Sequence, residues 1–102
     1  MKLVRDLIPQ IIEKSGKTCK YHTATYSEYK ARLYEKLREE LDEFINRPCY
    51  EEAGDMYEVL SAIFEIHEMT MVRVEVSALD KRRLRGAFAD RIILEEVLES
   101  GD

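Results

Sequence analysis

Apolar positions recur at helical spacing along most of this chain. Val4, Leu7, Ile8, Ile11 and Ile12 form the first such group, with Pro9 preventing one uninterrupted helix, so the pattern predicts a short helix starting near Asp6 or Pro9. Ser15-Gly16-Lys17 ends it, and the alternation and threonines of Cys19 to Thr25 predict a short strand. Thr25-Tyr26-Ser27-Glu28 has the form of a capping box, in which the threonine and glutamate satisfy free backbone donors at a helix start. A long helix follows from about Tyr26 to Ile45, with Leu33, Leu37, Leu41 and Phe44 as its stripe. Asn46-Arg47-Pro48-Cys49 is the turn.

A third helix is expected from Tyr50 to Glu68, with Met56, Val59, Leu60, Ile63, Ile66 and His67 on one face. Thr70 suits the N-cap of a fourth. There Val72 to Val76 alternates like a strand, but Val72, Val76 and Leu79 also fit a helix stripe, and good helix formers continue to Leu84. Gly86 should stop it. Arg91 to Val97 reads equally as a strand pairing with Cys19 to Thr25 or as a terminal helix. These elements predict an all-α fold: a helical bundle in one domain, residues 1–102, with an optional two-stranded appendage.

The long hairpin carries an acidic pattern. Glu40 and Glu43 precede the turn by the same distances at which Asp55 and Glu52 follow it, so the four carboxylates face each other in pairs at two levels. Within each helix the pair is spaced i,i+3, on one side. Glu52 lies in angle between Val59 and Ile63, inside the apolar stripe, and Asp55 lies at its edge. Glu40 flanks the stripe of its own helix, Glu43 lies further out, and Glu39 points roughly away. Two carboxylates about 4–5 Å apart repel by roughly 3–4 kcal/mol at an effective dielectric of ~20. Such a group takes up protons or binds cations. Oxygen-only donors select hard ions, so Mg²⁺ is expected, with Mn²⁺ as a substitute, and Mg²⁺ usually completes its shell with water and substrate phosphates. The competing reading of the acids is a solvated helix face with lysines one turn away.

Composition narrows the setting. The 102 residues suit one small domain, and the net charge of −5 argues against a dedicated nucleic-acid binder. No apolar run approaches a membrane span, and no signal-peptide core opens the chain, so the expected location is the cytoplasm. Cys19 and Cys49 lack metal-ligand spacing and are expected as free thiols. Cations for an anionic substrate are Lys36, one turn before Glu40, and the Lys81-Arg82-Arg83-Leu84-Arg85 run, with Lys2 and Arg5 in reserve. That run also suits a helix C-terminus through the helix dipole. The tyrosines read as core or interface residues more readily than as base-stacking ones. No phosphate-binding glycine loop, Rossmann fingerprint or Ser-His-Asp set is present.

Glu39-Glu40-x-x-Glu43 on one helix and Glu52-x-x-Asp55 on the next resemble the metal-binding pattern of the all-α NTP pyrophosphatase superfamily, in its MazG-like branch. That branch includes proteins labelled phosphoribosyl-ATP pyrophosphohydrolase-like. The resemblance extends to the opening Lys2-Leu3-Val4-Arg5-Asp6-Leu7-Ile8-Pro9 and the closing Arg85-Gly86-Ala87-Phe88 with Arg91-Ile92-Ile93-Leu94. It implies Mg²⁺-dependent hydrolysis of nucleoside triphosphates to the monophosphate and pyrophosphate, including clearance of non-canonical nucleotides. Glu40, Glu43, Glu52 and Asp55 would then hold the metal, Glu39 would orient or deprotonate water, and Lys36, Lys81, Arg82 and Arg85 would contact phosphate. Phosphoribosyl-ATP is the alternative substrate, and a nucleotide-binding or interaction module without turnover is the alternative class. A homodimer or higher homo-oligomer is expected, since a bundle this small leaves apolar faces open.

Overall fold

The computed structural model describes residues 1–100, in which four helices are joined by irregular chain: α1 (Ile8–Lys14), α2 (Tyr26–Asn46), α3 (Tyr50–Ile66) and α4 (Met71–Arg85). The all-α class is as expected. The chain divides into two compact units, Met1–Thr70 and a second from Met71 onward.

In the first unit, α1 accommodates Pro9 in its first turn, where a missing N–H costs nothing and the fixed φ suits the helix. It ends on Gly16 at φ +88°, with Gly16 N–H donating to the Glu13 carbonyl and Lys17 N–H to that of Ile12. Those two bonds make a Schellman close, which requires the left-handed conformation glycine adopts freely. Residues 17–25 then run without regular structure. The strand expected from Cys19 to Thr25 is absent, and no strand exists among the described residues to serve as its partner. Alternation alone leaves a segment's backbone donors and acceptors unpaired, and a single strand cannot satisfy them.

Helix α2 opens on Thr25, whose hydroxyl accepts from the Glu28 N–H at 3.3 Å. The other half of the capping box does not form, because the Glu28 carboxylate instead meets His22 Nε2 at 2.8 Å. Helices α2 and α3 pack on each other as a hairpin around Arg47-Pro48-Cys49. Leu33, Val59 and Ile63 are its buried apolar residues, with Leu3, Tyr29, Leu37 and Phe64 packed around them. Leu41, expected in the α2 stripe, is 47% exposed. It stands about 80° round the helix from Leu33, on the edge of the contact instead of in it.

Helix α3 closes two residues earlier than expected. Glu68 takes φ +59°, and the Met69 and Glu68 N–H groups donate to the Phe64 and Glu65 carbonyls in a second Schellman close. His67, expected among packed residues, is exposed and meets the Tyr34 hydroxyl at 2.7 Å. Tyr26 donates its hydroxyl proton to the Ile66 carbonyl at 3.1 Å, tying the same two helix ends. Both cysteines are free thiols, half-buried.

In the second unit, the ambiguous Val72 to Val76 stretch is helical, beginning directly after Thr70. Helix α4 stops at Gly86, at φ +83°, as its composition requires. No residue of α4 is buried. Arg91 to Val97 is neither strand nor helix. No helix among the described residues is long and apolar enough to cross a membrane.

Candidate metal centre

The hairpin brings three of the acidic side chains together. One carboxylate oxygen each from Glu40 on α2 and from Glu52 and Asp55 on α3 lie within 4.8 Å of one another. The placement follows from the helix geometry: α2 and α3 present the same inward faces that bury Leu33, Val59 and Ile63 further along, and the acids continue those faces toward the turn. Glu40 is buried, at 8% exposure, while Glu52 and Asp55 are half-buried.

Glu43 and Glu39 stand outside this group, both exposed. An i,i+3 step turns a side chain about 60° round the axis, which carries Glu43 off the inward face that Glu40 occupies. Its charge still reaches the cluster. The Glu52 carboxyl is pushed above the ordinary range, first by partial desolvation and then by repulsion from Asp55, Glu43 and Glu40, with Arg47 pulling the other way. This is the behaviour of a carboxylate held among carboxylates without enough positive charge to balance them.

Two cations supply part of that balance. Lys36 Nζ lies 3.4 Å from Glu40 Oε1, one turn away on α2. The Arg5 guanidinium donates to Asp55 Oδ1 at 2.7 Å. Lys36 was legible from its i,i+4 spacing to Glu40. The role of Arg5 as the partner of Asp55 was not, since the contact spans 50 residues and no local pattern announces it. Arg5 also lines a cleft of about 520 Å³ between the N-terminal segment and the start of α2. Lys2, Lys20, Arg32 and the rings of Tyr21 and Tyr29 line it too, against only Asp6 and Glu28 among acids. A cleft with an excess of cations in a chain of net charge −5 stands out from its surroundings. Lys81, Arg82 and Arg85 belong to the second unit and are exposed in the last turns of α4, where positive charge suits the helix dipole.

The donor set fits a hard divalent cation: three carboxylates, no thiolate and no imidazole, converging from two helices. Three carboxylates leave room in an octahedral shell for water or ligand oxygens. No family model matches the chain, and no curated protein or solved structure matches it significantly.

Proposed function

We propose that the chain is a Mg²⁺-dependent nucleotide pyrophosphohydrolase, splitting a nucleoside triphosphate into the monophosphate and pyrophosphate. The observation that carries this reading is the convergence of Glu40, Glu52 and Asp55 within 4.8 Å across the hairpin. The resemblance of the acidic, opening and closing segments to the MazG-like pyrophosphatases supplies the reaction class. Mn²⁺ is the expected substitute for Mg²⁺.

When bound, the cation offsets charge on the phosphate oxygens and makes water a better nucleophile at neutral pH. The residues of the chain prepare for that exchange. Arg5 and Lys36 neutralise Asp55 and Glu40 while no cation is present, holding the carboxylates in place against their mutual repulsion. Once the carboxylates are engaged elsewhere, both cations are released toward the anionic substrate. Water then adds to the α-phosphorus, the bond from that phosphorus to the bridging oxygen breaks, and pyrophosphate leaves with the oxygen. Glu43 strengthens the local negative potential from outside the cluster, and Glu39, exposed on α2 and also outside the cluster, is proposed to order water at the edge of the site, through which the proton passes to solvent. The cleft shared by Arg5, Lys20 and Tyr29 offers cationic and aromatic contacts for the rest of a nucleotide.

The test is pyrophosphate release from a panel of canonical and modified ribo- and deoxyribonucleoside triphosphates and phosphoribosyl-ATP, with Mg²⁺, with Mn²⁺ and with chelator. Metal-dependent release of pyrophosphate with the matching monophosphate supports the reading and defines the substrate. Silence across the panel from folded protein would contradict it.

A further inference from the structure

Leu3, Val4, Arg5 and Asp6 line two hollows: the cationic cleft at the start of α2, and a groove of about 570 Å³ along the α2–α3 hairpin. The groove is mostly apolar. Leu7 and Ile11 line it while still 61% and 57% exposed, with Ile8, Leu33, Val59 and Ala62 beside them. Apolar walls, this volume and a few polar groups are the features of a small-molecule site.

The groove has a direction. Arg5 and Lys36 line it, and these are the residues that meet Asp55 and Glu40 of the carboxylate cluster. Leu33 and Ala62, equidistant from the turn, come next, and Tyr29 and Glu65 lie one helical turn further away. From Asp55 to Glu65 the rise along α3 is about 15 Å. Ala62 stands on the same flank of α3 as Glu65, so its small side chain leaves the groove open just before that carboxylate.

Tyr29 and Glu65 carry polar groups suited to a ligand. The half-buried Tyr29 phenol is pushed above its ordinary range, first by burial and then by the charges of Glu65 and Asp6, so it keeps its proton at neutral pH. Neither the Tyr29 hydroxyl nor the Glu65 carboxylate has a hydrogen-bond or ion-pair partner among the described residues. A hydroxyl able to donate beside a carboxylate that only accepts is a recognition pattern for a base edge.

We propose that this groove holds the nucleobase of the substrate and that Tyr29 and Glu65 select guanine-type bases. The inference rests on the nucleotide pyrophosphohydrolase reading above. With the reacting phosphate at the carboxylate cluster, the cationic cleft suits the rest of the phosphate chain, and the flat, largely apolar base suits Ile8, Ile11 and Ala62. Guanine presents the O6 acceptor with the N1–H and 2-amino donors beside it. Tyr29 donates to O6, and Glu65 accepts from N1–H and the 2-amino group. Hypoxanthine lacks only the 2-amino group and loses one of those bonds. Uracil and thymine set a second carbonyl oxygen against the carboxylate, where two acceptors repel.

The experiment is calorimetric titration of the full chain, with Mg²⁺ present, using the α,β-methylene analogues of GTP and ITP, which resist the proposed cleavage. Glu65→Ala and Tyr29→Phe are titrated beside it. Glu65 is exposed, so its replacement is compatible with the fold. The guanine analogue is expected to bind about tenfold more tightly than the hypoxanthine analogue, a preference that falls to near one in Glu65→Ala. Tyr29→Phe should weaken both analogues alike and keep the preference, because both bases carry O6. Methyl resonances of Ile8 and Ile11 should shift as the guanine analogue binds. Equal affinities in the native chain, no binding of either analogue, a preference that survives Glu65→Ala, or unmoved methyl resonances would each overturn the proposal. Pyrophosphate release from GTP and ITP is read separately. Release from both with equal binding removes the base selection and leaves the hydrolase, whereas guanine-selective binding without release upholds the groove and removes the hydrolase.

Discussion

Two levels of one hairpin show what the same helical faces can be made to do. At the level of Leu33, Val59 and Ile63 the inward faces of α2 and α3 meet as an apolar core. Toward the turn the same faces meet as Glu40, Glu52 and Asp55. Burial of the first set stabilises the hairpin through the hydrophobic effect. The second set opposes it, since carboxylates brought together and partly desolvated repel, and Arg5 and Lys36 offset only part of that repulsion. A hairpin built for stability alone would carry leucine at all three acidic positions. The difference supports the proposed cation site: acids on an inward face, where they lower stability, are groups whose repulsion a bound cation would offset.

Substitutions at the two levels should therefore act in opposite directions. The largest effect is expected at the acidic level. Glu52→Gln keeps size and loses charge, and should lower metal-dependent pyrophosphate release on the order of 100-fold or more with the fold intact. Glu40→Leu combined with Lys36→Met should abolish cation binding while leaving the metal-free protein as stable as before or more so, because apolar residues then replace the whole charge pair. A clear loss of stability in that double variant by denaturant unfolding would show the acidic level to be structural, and the contrast would fail.

At the apolar level, Leu33→Ala should cost about 2–5 kcal/mol of stability, read from the same denaturant titration. The activity of the molecules that remain folded should be unchanged. Addition of Mg²⁺ should then recover stability through the acidic level, by about 2.7 kcal/mol at 100 times its dissociation constant. Chelator should reverse it, and Glu52→Gln should show little of it.

The dependence on pH follows from the raised Glu52 carboxyl. Without metal, the folded state holds that proton more tightly than the unfolded state does. Stability is greatest below the ordinary glutamate range and falls as pH rises through the raised value. Melting temperatures measured across mildly acidic to neutral pH should therefore decline in the native chain and decline less in Glu52→Gln. Equal slopes in the two would remove Glu52 as the source. The smallest effect is expected away from both levels, at the close of α3. Glu68 sits at φ +59°, so Glu68→Gly should raise stability by about 0.5–1 kcal/mol by relieving left-handed strain.

What the sequence disclosed depended on how local the cause was. Helices α2 and α3 were legible because period and punctuation agreed, with Thr25 capping α2, while α4, whose Val72 to Val76 period was ambiguous, was legible from its helix formers and the Gly86 stop. The strand expected from Cys19 to Thr25 failed because alternation says nothing about a partner, and the structure provides none among the described residues. At the site, the inward placement of Glu40 and Glu52 was readable from 100° steps, yet the same arithmetic puts Glu43 about 60° off the inward face. The Arg5 contact to Asp55 joins residues that only the tertiary fold brings together.

The central claim is that Glu40, Glu52 and Asp55 form one divalent-cation site. Its most direct test is Mn²⁺ binding to the native chain, followed by electron paramagnetic resonance of the free ion, with Glu52→Gln measured beside it and Mg²⁺ as competitor. The account predicts saturable binding that Mg²⁺ displaces and that weakens at least tenfold in the variant. Binding equal in both proteins, or none in the folded native chain, would contradict it.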